Sequence, residues 1–336
     1  MRRSSPSHQA RTERSARAPT AAALVLALGC GAGPASGPGP RPADLSAGDH
    51  RIELEHGGRE RHYLVYVPPG RTARGRPVVL AFHGGGGNAG QFRESAGLDR
   101  LADREGFLVV YPAGTGRRAR VLTWNAGPRC CGYARDQGVD DVGFVRAVVG
   151  DLARRTAVDP DRVFATGHSN GGGMVWRLAR DAPDLVAAVA PVAGAAMGPT
   201  GGTDPPVPLL QIHSVDDPRA LYGGGEGPPF PLTDHTVMHR AVEEVLEDRA
   251  AANACTGPPR VVERREGSGP DAGQRAEKLV WPGCDAALEH WRLRGAGHGW
   301  PGHRVPVRRQ RLLGPSTELV DAAEEAWVFF RRVGGS

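Results

Sequence analysis

Past residue 49 the chain has no apolar run approaching the ~20 residues of a membrane-crossing helix, so everything beyond that point is expected to be soluble. It also lacks a charge excess once its first residues are set aside. Of the formal net charge of +5, residues 1–29 hold five arginines and one glutamate, which leaves 37 basic and 36 acidic residues in the rest. So even a balance gives no electrostatic footprint for nucleic acid. The sequence has no G-x-x-x-x-G-K-[ST], no H-E-x-x-H and no C-x-x-C, which removes the usual signals for a phosphate-binding loop and for zinc. No cofactor is implied, and neither an internal repeat nor a second globular domain is visible. What is present is length and apolar content: 336 residues, 40% of them hydrophobic, can bury one large core.

The N-terminus reads as an export signal. Arginines from Arg2 to Arg17 precede an apolar run from Ala21 to Leu28 and then Gly29-Cys30. Residues 1–30 are therefore expected to direct secretion. Cys30 is placed as a lipoprotein acceptor would be, but Ala27-Leu28-Gly29 departs from the usual lipobox, so lipidation at Cys30 and simple cleavage both stay open. A lipid there would tether the protein to the outer face of the membrane, and one chain alone anchors weakly. Arg2-Arg3 lacks the apolar residues of a twin-arginine signal. Residues 31–49, rich in Gly, Ala and Pro, read as a flexible tether, with a single folded domain over 50–336. Export places Cys130, Cys131, Cys255 and Cys284 in an oxidising compartment, where four cysteines allow three pairings. Joining Cys255 to Cys284 would contribute about 3–4 kcal/mol on loop entropy. Cys130-Cys131 is either a vicinal disulfide or two thiols.

Arg51 to Glu55 and His62 to Val67, around Gly57-Gly58, predict a hairpin. Continuous apolar runs follow at 78–82, 107–111, 162–166, 185–192 and 207–212, and Leu288 to Leu293 reads as the last strand. Unbroken runs suit strands buried on both faces. Helical patterns fall at 142–153, 172–180, 233–249 and 317–332. The expected fold is an α/β sandwich around a mainly parallel sheet.

The decisive motif is Gly167-His168-Ser169-Asn170-Gly171, a G-x-S-x-G set where a strand should turn into a helix. That context lifts a serine hydroxyl clear of the sheet, which makes Ser169 the candidate nucleophile. His83 is followed by Gly84-Gly85-Gly86-Gly87-Asn88 after another strand. Four successive glycines cost backbone entropy, and an oxyanion hole needs such bare backbone. An N–H of this loop and that of Asn170 would hold the charged oxygen, each donor lowering the barrier by about 3 kcal/mol. Serine needs a histidine base, and the base an orienting carboxylate. His298, in the glycine-rich loop 295–302, is the candidate base. Asp216 and Asp217, after the strand at 207–212, are the candidate acids.

Other residues read more plainly. Trp300 would either wall the pocket or pin its loop, and Trp124 with Asn125 would line the cleft. His235 and His239 are spaced as half a zinc site, but without a third ligand they read as the solvated face of a helix. Asp140 and Asp141 read as the cap and first turn of the helix that follows, or as supports of the active-site loops.

Taken together, the motifs HGGGGN at 83–88, CCG at 130–132, VDDVGF at 139–144, GHSNGG at 167–172, HSVDDP at 213–218 and GHGWPG at 297–302 carry a resemblance. The chain resembles the secreted esterases grouped as polyhydroxybutyrate-depolymerase-like and feruloyl-esterase-like α/β-hydrolases, including actinobacterial lipoproteins, over about residues 50–334. The resemblance implies the three-layer α/β-hydrolase sandwich, a triad of Ser169, Asp217 and His298, and oxyanion donors at Gly85 or Gly86 and Asn170. It also favours the Cys255–Cys284 pairing. Ser214-Val215 and Gly299 depart from many relatives and blur the substrate. The absence of a Thr-rich linker or polymer-binding module argues against crystalline polyester. The implied activity is hydrolysis of carboxylic esters, such as feruloyl or acetyl esters of plant polysaccharide fragments or hydroxyalkanoate oligomers. The alternatives are a cell-envelope acyltransferase using the same triad and a non-catalytic binding protein on a hydrolase scaffold.

Overall fold

A computed structural model describes residues 45–70, 75–230 and 235–335, so the expected signal, Cys30 and most of the tether lie outside the described residues. In chain order, strands β1 (Gly48–His56), β2 (Arg59–Val67) and β3 (Arg76–Phe82) lead to helices α1 (Ala89–Ala96) and α2 (Leu98–Glu105). Then come β4 (Leu108–Pro112), β5 (Thr115–Arg118), β6 (Val121–Thr123), α3 (Gly132–Asp136), α4 (Asp141–Arg155), β7 (Val158–His168), α5 (Asn170–Asp181), β8 (Ala188–Val192) and β9 (Leu209–Ser214). The chain continues through β10 (Gly225–Glu226), β11 (Met238–His239), α6 (Val242–Ala252), β12 (Arg260–Glu266), β13 (Arg275–Val280), β14 (Leu288–Arg294), α7 (Val307–Leu313) and α8 (Ala322–Val333).

Ten strands form one sheet in the order β1-β2-β4-β3-β7-β8-β9-β14-β13-β12. From β4 to β14 all neighbours are parallel, and antiparallel pairs flank that centre on both sides. Every residue of β3, β4, β8 and β9 is buried; the apolar stretches of β3, β4 and β8 follow from this, whereas β9 buries the polar Gln211, His213 and Ser214. Alternate side chains feed two cores. Val78, Leu80 and Phe82 pack with α4, α5 and α6, whereas Val79 and Ala81 pack with α1, α2 and α8. The three-layer α/β sandwich expected from the sequence is therefore present.

The differences have local causes. β1 begins at Gly48, and Leu45 N–H donates to Arg155 O, so the fold takes in residues assigned to the tether. Strands β12 and β13 were not foreseen: β12 reads Arg-Val-Val-Glu-Arg-Arg-Glu, an exposed, charged edge without the buried-strand pattern. The helix expected from 233 starts only at Val242, because Met238-His239 instead pair with Gly225-Glu226 as a short ribbon. His235 and His239 therefore share no helix, and His239 is buried rather than solvated, bonded to the Arg219 backbone with burial pushing its pKa down to about 4. The last helix starts at Ala322, five residues late, since Asp321 caps it and the preceding Ser316 and Thr317 bond to the loops at Val305 and Gly302. The strand expected over 185–192 shortens to β8, the turn at Leu185 being held to Ala182 O.

Candidate active site

Ser169 sits between β7 and α5 at φ 56° and ψ −118°, a backbone region that side chains rarely occupy. The turn is tight enough to demand its glycines: a Cβ on Gly167 would lie 2.7 Å from Gly171 O, and one on Gly171 would overlap Phe82 O. Ser169 N–H donates to Val192 O at 2.8 Å, tying the elbow to β8. This geometry presents the hydroxyl at the carboxyl end of the parallel strands, over the N-terminus of α5, whose dipole favours negative charge.

His298 reaches it from the loop after β14. Its Nε2 lies 2.8 Å from Ser169 Oγ, and its Nδ1 lies 2.7 Å from Asp217 Oδ2. With Nδ1–H donating to the carboxylate, neutral His298 has a bare Nε2 to accept the serine proton. The structure puts Asp217, not Asp216, on the histidine. Asp216 is exposed and its Oδ2 accepts Gly295 N–H at 2.7 Å, which holds the β14 end of the His298 loop.

Asp217 is fully buried and well supplied with donors. Its Oδ1 accepts the N–H groups of Arg219 and Ala220 at 2.8 and 2.9 Å. A second histidine, His213, places Nε2 3.4 Å from Oδ2. The tautomer of His213 follows from its neighbours. Trp176 Nε1–H donates to Gln211 Oε1, so Gln211 Nε2 is the donor facing His213 Nδ1 at 3.3 Å, and the ring proton is left on Nε2. That N–H is shared between Ala220 O, at 2.8 Å, and the carboxylate. Burial alone would raise the Asp217 pKa, but His298 and His213 overcome it and hold the carboxyl well below its ordinary range.

The glycine loop lies against the same turn, a Cβ on Gly84 falling 3.5 Å from Ser169 Cβ. Gly86 N–H is committed to Leu122 O at 2.8 Å, whereas Gly85 N–H has no partner among the described residues. Gly85 and Asn170, at the first residue of α5, are thus the pair whose amides are open to an oxyanion. The Asn170 side chain is clamped to one backbone residue: its Oδ1 accepts Trp124 N–H at 2.7 Å and its Nδ2 donates to Trp124 O at 3.0 Å.

Trp124 itself does not line an open cleft. It is fully buried and its Nε1–H donates to His83 O at 2.9 Å, so its part is to position the oxyanion loop. Trp300 is also buried, 5.1 Å from the Phe92 ring and edge-on to His168, and pins the His298 loop. Asp140 caps α4 through Gly143 N–H, as expected. Asp141 does more than complement the helix dipole: fully buried, it pairs with Arg61 at 2.8 Å and accepts Asn125 N–H, supporting the Trp124 segment. Cys130 and Cys131 are joined as a buried vicinal pair beside Asn170, and Cys255 is joined to Cys284.

Three histidines inside the motifs were not assigned a role from sequence. His83 accepts Gly114 N–H at Nε2 and donates from Nδ1 to Gly84 O, bracing the glycine loop. His168 donates from Nε2 to His298 O at 2.6 Å, joining the elbow to the base loop. Burial pushes them down to about 4 and about 3, so both are neutral. Their position within HGGGGN and GHSNGG, like that of His213 in HSVDDP, was the available signal. The partners Gly114 N–H of His83 and His298 O of His168 are 31 and 130 residues away and could not be read.

Residues 61–256 match the family described as Esterase PHB depolymerase. NocK of Nocardia uniformis subsp. tsuyamanensis, an esterase by name, is 33% identical over 294 residues, covering 82% of this chain and 80% of NocK. An acetylxylan esterase of Coprinopsis cinerea is 30% identical over 81% of this chain and 74% of its own length. Feruloyl esterase B of Piromyces equi is 29% identical over 60% of this chain, which spans only 37% of that protein. Among solved structures, acetyl xylan esterase from Aspergillus awamori superposes with a TM-score of 0.53 at 14% identity, covering 84% of this chain and all of that one, a likeness of fold. A buried parallel sheet ending in a glycine-bounded serine, together with these matches, places the chain in the Esterase PHB depolymerase family of α/β-hydrolase serine esterases.

Proposed function

We propose that this esterase is exported and hydrolyses feruloyl or acetyl esters on plant polysaccharide fragments, with soluble hydroxyalkanoate oligomers as the neighbouring substrate class. The observation that carries the reading is the continuous line from Asp217 through His298 to Ser169 beside two open amides, in a chain whose relatives include feruloyl and acetylxylan esterases. Ser169 Oγ attacks the ester carbonyl as its proton passes to His298 Nε2. Gly85 and Asn170 N–H hold the oxyanion. Collapse expels the alcohol, which takes the proton from His298, and leaves the acyl group on Ser169. Water then repeats the attack with His298 as base, releasing the acid and restoring the serine. Asp217 keeps His298 in the working tautomer and stabilises its charged form.

Export is supported by the basic and apolar N-terminus and by the joined cysteine pairs, which suit an oxidising compartment. A lipid on Cys30 would hold the enzyme at the cell surface. The test is turnover of methyl ferulate, acetylated xylo-oligosaccharides, a p-nitrophenyl ester series and a soluble 3-hydroxybutyrate oligomer by the wild type and Ser169→Ala. Loss of all turnover in the variant is expected. Equal turnover by both proteins would overturn the reading, and transfer of the acyl group to an added sugar without net hydrolysis would make the protein a transferase.

A further inference from the structure

The charge of this near-neutral chain is unevenly placed. Residues 113–135 hold five arginines and no acid, and residues 295–317 hold four arginines and no acid. Beyond residue 29, the rest of the sequence therefore carries 28 basic against 36 acidic residues, so about +9 in these two segments faces −8 elsewhere. Both segments are bonded to loops of the catalytic site. The β5–β6 hairpin is bonded to the oxyanion loop through Gly86 N–H to Leu122 O and Leu122 N–H to Gly87 O. Helix α7 is tied to the base loop through His298 N–H to Leu313 O.

Within these segments Arg135 pairs with Asp136, and Arg304 with Glu318 and Asp271. Arg117, Arg118, Arg120, Arg129, Arg308, Arg309 and Arg311 are exposed and have no carboxylate partner among the described residues. Many exposed arginines elsewhere, among them Arg51, Arg104 and Arg146, sit against acids, whereas Arg100, Arg260 and Arg294 are single exposed arginines without a carboxylate partner among the described residues. Helix α7 buries none of its side chains, and Val307 is 80% exposed, so packing does not account for this segment.

We propose that the two arginine-rich rims bind carboxylate groups of the substrate, so that the preferred ester is carried on an acidic oligosaccharide lying across the opening. This rests on the esterase reading above and adds the charge of the substrate. Guanidinium groups on two segments beside a site recognise carboxylates flanking the ester and raise the encounter rate at low salt.

The experiment compares acetylated xylo-oligosaccharides with and without uronic acid side groups, measuring kcat/KM at low and high sodium chloride. The proteins are the wild type, R117Q/R118Q/R120Q, R308Q/R309Q/R311Q and the combined variant, with folding checked by thermal unfolding. Expected is a roughly tenfold preference for the acidic ester at low salt, falling towards one at high salt and in the combined variant. Equal kcat/KM for both esters, with the same salt dependence, overturns the proposal while leaving esterase activity itself established by turnover of the neutral ester. It is also overturned if the acidic ester has no advantage and the wild type, but not the combined variant, sediments with anionic phospholipid vesicles; the arginines would then be a membrane-docking surface.

Discussion

The floor and the rim of this active site are built on opposite principles. On the floor, the side chains that orient the reacting atoms are tied down, and only the oxyanion amides are left open: Asp217 takes two backbone N–H groups and two histidines, and the Asn170 side chain is clamped at both ends to Trp124. On the rim, seven arginines stand in solvent with no carboxylate partner among the described residues. The floor fixes the positions of reacting atoms, where an error of an ångström is costly. The rim is free to vary because long-range charge needs no fixed geometry. Chemistry and choice of substrate are therefore held by separate sets of residues.

The largest test of the floor is Ser169→Ala, expected to lower kcat by about 10⁶-fold with folding intact. Asp217→Asn should cost about 10⁴-fold, because the amide cannot hold His298 in the same tautomer. A smaller loss would mean that His298 keeps its working tautomer without the carboxylate. His213→Phe removes one donor from the carboxylate and is expected to lower kcat/KM by about tenfold, a charged hydrogen bond being at stake. The readout that separates positioning from mere packing is the pH profile: with one donor fewer, Asp217 becomes more basic and stabilises charged His298 more, so the acid limb should move to higher pH. An unshifted limb would assign His213 to packing.

The floor also sets the acid limit of the fold. Burial lowers His83 and His239 to about 4 and His168 and His290 to about 3, against an ordinary 6.5. Between these values the unfolded chain binds protons that the folded one does not, so stability rises with pH there. It is complete above about pH 6.5 and is lost as pH falls towards 4 and then 3, each histidine adding at most about 1.4 kcal/mol per pH unit. Denaturation midpoints measured from pH 8 to 4 check this; a flat profile below pH 6.5 would show that these rings are charged in the fold. The smallest effect belongs to the rim, where the six substitutions at Arg117, Arg118, Arg120, Arg308, Arg309 and Arg311 should change only the acidic-to-neutral preference.

The elements surrounding Ser169 were the most legible in the sequence, because a strand buried on both faces shows itself as an unbroken run and an elbow needs its glycines at fixed spacing. The choice of Asp217 over Asp216 needed the family resemblance, since both follow β9 and only backbone direction separates them. The sequence did not reveal β12 and β13, whose edge position is marked by charge rather than apolarity, nor the ribbon that displaced the start of α6. Trp124 was misread for a related reason: a tryptophan beside a motif looks like a pocket wall, and its burial depends on contacts with His83 and Asn170 that are 41 and 46 residues away.

The positive φ of Ser169 has a consequence for drift. A residue with a side chain held at φ 56° and ψ −118° costs the fold about 1–3 kcal/mol, and glycine would occupy that position at ease. A population of variants selected for stability alone would replace Ser169 by glycine and lose the enzyme in doing so. At this position, activity and stability of the fold therefore ask for different residues.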